Sequence, residues 1–136
     1  AVNVSHRVIY VDPVSPYAVS STISQADVAI VVTTKQGKNN ELSLPNKLFE
    51  AVAAGLPMVT SSNKEIAALI EDYDMGYVCD ASDPKSIAQG IEEILGEKYD
   101  TYKQNAIRAQ QELNWEHEER KLIDLYNTLL NPATHD

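Results

Sequence analysis

Apolar residues along the chain fall into short blocks divided by polar turns, and the spacing inside the blocks alternates between strand-like runs and helix-like repeats. Arg7 to Val11 (R-V-I-Y-V) is β-branched and apolar, is broken by Asp12-Pro13, and predicts a buried strand. Ser15 to Gln25 follows, with Pro16 near its start and apolar positions at Tyr17, Val19 and Ile23, and predicts a helix. Asp27 then leads into Val28-Ala29-Ile30-Val31-Val32, a continuous apolar run expected of a strand covered on both faces. Strand, helix and strand joined by short links follow the βαβ logic of a parallel sheet. Thr33 to Asn40 is polar, carries Gly37, and predicts an exposed connecting loop.

The stretch from Ser43 to Pro57 organises the rest. It reads as a loop turning into a short helix, a glycine stop and a new strand. Ser43 is expected to cap the helix start, and Pro45 is tolerated in the first turn, where its missing N–H has no partner to lose. Gly55 suits the left-handed position after the helix, and Pro57 cannot continue it. At about 100° per residue, Ser43, Asn46, Lys47, Glu50 and Ala54 share one face, while Pro45, Leu48, Phe49 and Val52 share the other. The apolar face is expected to bury itself.

Leu56 to Ser61 predicts the next strand, and Ser61-Ser62-Asn63 is expected to cap a helix over residues 64–71, where Ile66, Ala67, Leu69 and Ile70 line one face. A turn at residues 72–76 precedes a short strand at Tyr77-Val78. Asp83 as cap and Pro84 at the first helical position then open a helix whose Ile87, Ile91, Ile94 and Leu95 repeat on the face that packs on the sheet. From Glu97 to Leu130 the chain predicts helix, with a break near Asn114. Tyr99, Tyr102, Ala106 and Ala109 give one apolar edge; Trp115, Leu122, Leu125, Tyr126, Leu129 and Leu130 give another. Residues 1–131 are therefore expected to form one α/β domain, and residues 132–136 a disordered tail.

Size and charge narrow the function. The chain has 136 residues, enough for one domain. Its 20 acidic and 11 basic residues give a net charge of −9, which argues against nucleic acid and against electrostatic binding to acidic membranes. One cysteine, Cys79, excludes an internal disulfide and fits a reducing compartment, here taken as the cytoplasm. No apolar run approaches the roughly 20 residues that span a bilayer. The chain starts without Met, almost directly on a strand, and is expected to be cut from something longer. Glu116-His117-Glu118-Glu119 lacks the paired histidines of a zinc helix and reads as a solvated charged face, so no metal site is expected.

The polar face of the organising helix is the candidate chemistry. Free N–H groups and the dipole favour an anion at its start, Lys47 adds a point charge for phosphate, and Glu50 can accept hydrogen bonds from a pair of ribose hydroxyls. The plainer reading is a polar surface face with Lys47 and Glu50 as an i,i+3 ion pair worth about 0.2–0.5 kcal/mol.

The run P-N-K-L-F-E-A-V-A-A-G-L-P-M-V resembles the donor-binding motif of glycosyltransferase group 1, the retaining nucleotide-sugar glycosyltransferases built from two Rossmann-like domains. Glu50 matches the second glutamate of that motif, which binds the ribose hydroxyls, and Lys47 matches a lysine near the donor phosphates in bacterial polysaccharide enzymes. The family's first glutamate falls at Leu42, with Glu41 next to it as the acidic candidate for its catalytic role. By resemblance Ser43, Leu44, Pro45 and Asn46 line the donor with them, and the nucleobase lies on the backbone near Val14. G-Y-V-C-D-x-S-D-P and W-x-x-x-x-x-K-L-x-x-L-Y are also similar to the family, whose last helix runs back towards the other domain.

The resemblance implies a partial donor-binding domain. The expected fold is a three-layer Rossmann-like α/β with a mostly parallel sheet of about four strands, lacking the first strands of a full domain, plus C-terminal helices. In the family those absent strands lie between the strand at Arg7 and the strand at Val28, so open edges and a dimer of the fragment are an expected outcome. The implied reaction moves a sugar from a nucleoside diphosphate donor to a glycan or lipid-linked acceptor held by an N-terminal domain. No cofactor beyond the donor is implied, peripheral membrane association of the full enzyme stays open, and the fragment alone is expected to be inactive. The alternatives are a nucleotide-sugar epimerase on the same plan and a non-catalytic α/β interaction module. A receiver-like phospho-acceptor fits less well, since Asp12 precedes proline without an acidic cluster.

Overall fold

The computed structural model describes residues 4–33 and 37–130. Two 3-10 turns, Ser5–Arg7 and Pro16–Ala18, precede α1 (Val19–Ile23), β1 (Ala29–Val31), α2 (Gly37–Leu42) and α3 (Asn46–Ala53). The order continues with β2 (Met58–Ser61), α4 (Lys64–Tyr73), β3 (Gly76–Cys79), α5 (Pro84–Ile94), α6 (Tyr99–Glu112) and α7 (Trp115–Leu130). The strands form one parallel sheet in the order β1-β2-β3, with Val31 opposite Thr60 and Ser61 opposite Cys79. All three carboxyl ends therefore open on one edge.

The sheet is the middle of three layers. Met58 points to a core with Val31, Leu48, Val52, Ile66 and Ile70, supplied by α3 and α4 and closed by Ala106 and Ala109 of α6. Val59 points the other way, to Cys79, Ile94 and Tyr102, under α5. Every residue of β2 is buried, as the central strand of a parallel sheet requires. Gly76 is demanded by close approach, because a Cβ there would sit 2.0 Å from the carbonyl oxygen of Met58.

Most of the predicted helices form with their predicted punctuation. Asp83 caps α5 by accepting from the N–H of Lys85 at 2.9 Å, with Pro84 at the first position. Gly55 ends α3 with φ of 62°. The break near Asn114 is real: its Oδ1 accepts from the N–H of His117 at 3.0 Å and so caps the start of α7.

Several expectations fail, each for a physical reason. Arg7–Val11 is not a buried strand; Ile9 is 85% exposed and Tyr10 94%. A strand needs a neighbour for its N–H and C=O groups, and among the described residues none pairs with it. The sheet accordingly has three strands there, not four. Of the predicted Val28–Val32 strand only Ala29–Val31 forms, and it is not covered on both faces, because α5 packs on β2 and β3 and leaves Ile30 of β1 half exposed. The predicted loop at Thr33–Asn40 gives way to α2 from Gly37, since Lys38, Glu41 and Leu42 tolerate helix and polarity by itself does not specify a loop. Residues 34–36 of that loop, and the predicted tail at residues 132–136, lie outside the described residues. Ser43 does not cap α3, whose cap position is Pro45, with no side-chain cap bond. Asn63 holds the cap position of α4, but its side chain does not cap either.

Candidate functional site

The helix α3 is held by its apolar side. Leu48 and Val52 are fully buried, each stabilising the packed position by about 1.5–3 kcal/mol, several times the worth of a surface ion pair. Core packing therefore decides the helix rotation, and that rotation turns Lys47 outward and leaves Glu50 half exposed. The start of α3 has no side-chain cap; the Leu48 N–H donates to the Pro45 carbonyl at 2.9 Å, which leaves the N–H groups of Asn46 and Lys47 as the ones an anion could take.

Lys47 does not pair with Glu50. Its ammonium donates instead to the main-chain carbonyl of Val32, just past the end of β1, at 3.3 Å. The two side chains share the wall of a groove of about 310 Å3 running between α1, β1 and α3, whose remaining wall is apolar, with Val19, Ile23, Val28 and Ile30. Lys47 thus reaches the carboxyl end of β1, the edge where open α/β sheets take ligands, while Glu50 lies one turn further along α3 in a groove whose wall runs back to Val28 and Leu56, ahead of β1 and β2.

The other predicted residues are distributed around this pair. Asn46 is the first residue of α3 and exposed, with Pro45 and Ser43 half-buried before it. Leu44 is parted from Lys47 and Glu50. It lines a second, larger cavity of about 720 Å3 on the opposite side of α3, with Phe49, Leu69, Leu113 and Trp115. Glu41 sits on α2, exposed and outside the wall of the Lys47–Glu50 groove. Val14 is exposed in the irregular segment between the two 3-10 turns and is also outside that wall.

One cluster was missed in the sequence. Thr33, Ser61 and Asn63 join their side chains at the ends of β1 and β2, and the Asn63 amide donates to the carbonyl of Asn40 at 2.7 Å. The S-S-N-K order gives a helix-cap signal, which is correct for the position and silent about where the side chains turn.

A parallel three-stranded sheet between helices defines the class: an α/β domain of Rossmann-like build. The chain belongs to the family described as glycosyl transferases group 1, which matches residues 1–97. It is 31% identical over 99 residues to TuaH of Bacillus subtilis, named for teichuronic acid biosynthesis glycosyltransfer, covering 72% of this chain and 24% of that protein. It is 25% identical over 117 residues to WcaL of Salmonella typhimurium, named as a colanic acid biosynthesis glycosyltransferase, covering 83% of this chain and 29% of that protein. The chain therefore spans about a quarter of the length of these curated relatives. No solved structure matches it at a significant level. Among the described residues no helix is long and apolar enough to cross a membrane.

Proposed function

We propose that this chain is the nucleotide-sugar-binding part of a retaining glycosyltransferase that moves a sugar from a nucleoside diphosphate to a glycan or lipid-linked acceptor. The observation that carries the reading is that Lys47, in the first turn of a helix with no side-chain cap, reaches the carboxyl end of β1 and shares one groove with Glu50 a turn further along. Lys47 and the first N–H groups of α3 would stabilise charge on the departing diphosphate, and Glu50 would hold the ribose hydroxyls. Ser43, Pro45 and Asn46 would form the backbone approach to the phosphates, Leu44 would hold that turn in place, and the segment at Val14 would face the base. Glu41 is the candidate for the family's first glutamate, working on the sugar side of the donor.

Family membership and the polysaccharide-building names of both relatives support a role in polysaccharide assembly. The acceptor would be held by a further domain of the intact enzyme, which on this reading works in the cytoplasm, at the membrane surface if its acceptor is lipid-linked. Calorimetric titration of the chain with UDP, GDP and ADP, each beside its free nucleoside, tests the donor site. The expected result is binding of one diphosphate, weakened about tenfold or more by Glu50→Ala, the effect of losing a hydrogen bond to a charged group. A diphosphate that binds this variant as tightly as the parent rejects the role of Glu50.

A further inference from the structure

Asn63 occupies a position that ordinarily stabilises its own helix. Its backbone is extended, with φ of −70° and ψ of 137°, and its carbonyl accepts the first bond of α4 from Ala67 at 2.8 Å. An asparagine there normally turns its side chain back onto the helix, a contribution of about 1 kcal/mol. This one does not. It is fully buried, and its side chain crosses to another part of the chain.

The bonds it makes close a loop. Asn63 Nδ2 donates to the Asn40 carbonyl at 2.7 Å, and Asn63 Oδ1 accepts from the Thr33 hydroxyl at 3.3 Å. The Thr33 and Ser61 hydroxyls lie 3.1 Å apart, and the Thr33 N–H donates to Ser61 Oγ at 3.2 Å. The donors can run in one direction, Ser61 to Thr33 to Asn63 to Asn40, with each hydroxyl both giving and accepting. Thr33 begins the segment that leaves β1, and Asn40 lies in α2. One buried amide therefore ties both ends of the segment to the start of α4.

Apolar burial does not do this for α2. None of its residues is buried, and Leu42, its largest apolar side chain, is more than half exposed. Yet α2 carries Glu41 and leads directly into the Ser43–Pro45 turn that opens α3. We infer that Asn63 is a positioning residue: its amide ties Thr33 and α2 to the strand ends, and so fixes where the Glu41 segment stands relative to Lys47 and Glu50. That this placement serves a nucleotide-sugar ligand rests on the function proposed above.

Asn63→Ser separates the two roles, because serine caps a helix start as well as asparagine does but cannot reach Asn40. The measurement is amide hydrogen exchange of the chain, with binding of UDP, GDP and ADP alongside. The variant is expected to keep a cooperative melt, to exchange about tenfold faster at residues 38–42, and to leave α5 unchanged. The diphosphate that the parent binds is expected to bind about fivefold more weakly. If Asn63→Ser does not fold, Thr33→Val removes one arm of the clamp and is expected to give about threefold faster exchange at the same amides. Unchanged exchange at residues 38–42 in a folded variant overturns the clamp, as does faster exchange with undiminished nucleotide affinity. If the parent binds none of the three diphosphates, the donor reading fails and exchange alone decides the clamp.

Discussion

Lys47 reaches across from α3 and donates to the carbonyl of Val32, the residue that follows β1, at 3.3 Å. The bond joins the start of the helix to the end of the strand and holds a cation at the sheet's carboxyl edge. It is an exposed contact to a neutral acceptor, so a phosphate can replace it at little cost and with a stronger, charge-assisted bond.

Lys47→Met keeps the length and apolar stem of the side chain while removing its charge. We expect it to weaken binding of the recognised nucleoside diphosphate about tenfold or more and to leave the corresponding free nucleoside unaffected. Raising the salt should narrow the difference between variant and parent, because the lost interaction is a screened exposed charge. Equal loss for diphosphate and nucleoside would show that Lys47 does not act on phosphate.

Thr60 lies in the middle of the sheet, fully buried, and its hydroxyl has no hydrogen-bond partner. A buried hydroxyl without a partner carries its desolvation penalty uncompensated, about 1–3 kcal/mol. Valine has nearly the same shape without the oxygen. Thr60→Val is therefore expected to stabilise the chain by about 1 kcal/mol. In urea the transition midpoint should rise at an unchanged slope, and a lower midpoint would mean that the hydroxyl has a partner in solution.

Burial raises the pKa of the Cys79 thiol, with the Asp80 carboxylate adding to it. The Tyr73 and Tyr102 phenols are raised as well, chiefly by burial and, for Tyr73, by its hydrogen bond to Glu112. The native state thus holds these protons more tightly than the unfolded chain. Their contribution to stability is complete below the unfolded values, about 8.5 for a thiol and 10 for a phenol, and is lost as pH rises through the raised native ones. Urea midpoints are expected to fall steadily between about pH 8.5 and 11. Iodoacetamide at pH 8 should label Cys79 slowly in the native chain and rapidly in urea; equal rates would contradict its burial.

Much of the architecture is written locally. The Asp83-Pro84 start of α5, the Gly55 stop of α3, the break at Asn114 and the parallel run of three strands follow from neighbours in sequence, because caps, left-handed turns and apolar periodicity act over a few residues. The Lys47–Glu50 face follows in the same way from helix geometry. The exposed state of Arg7–Val11 does not, because a strand exists only where another strand accepts its hydrogen bonds, and that partner is a property of the whole sheet. Nor could the order of residues reveal that Lys47 turns to Val32 rather than to Glu50, or that Asn63 leaves its own helix for Asn40. Each of those choices is made between groups 15 to 23 residues apart, brought within bonding distance only when the layers pack. Short-range chemistry determined which elements form and which side chains they offer outward; tertiary packing decided what those side chains meet.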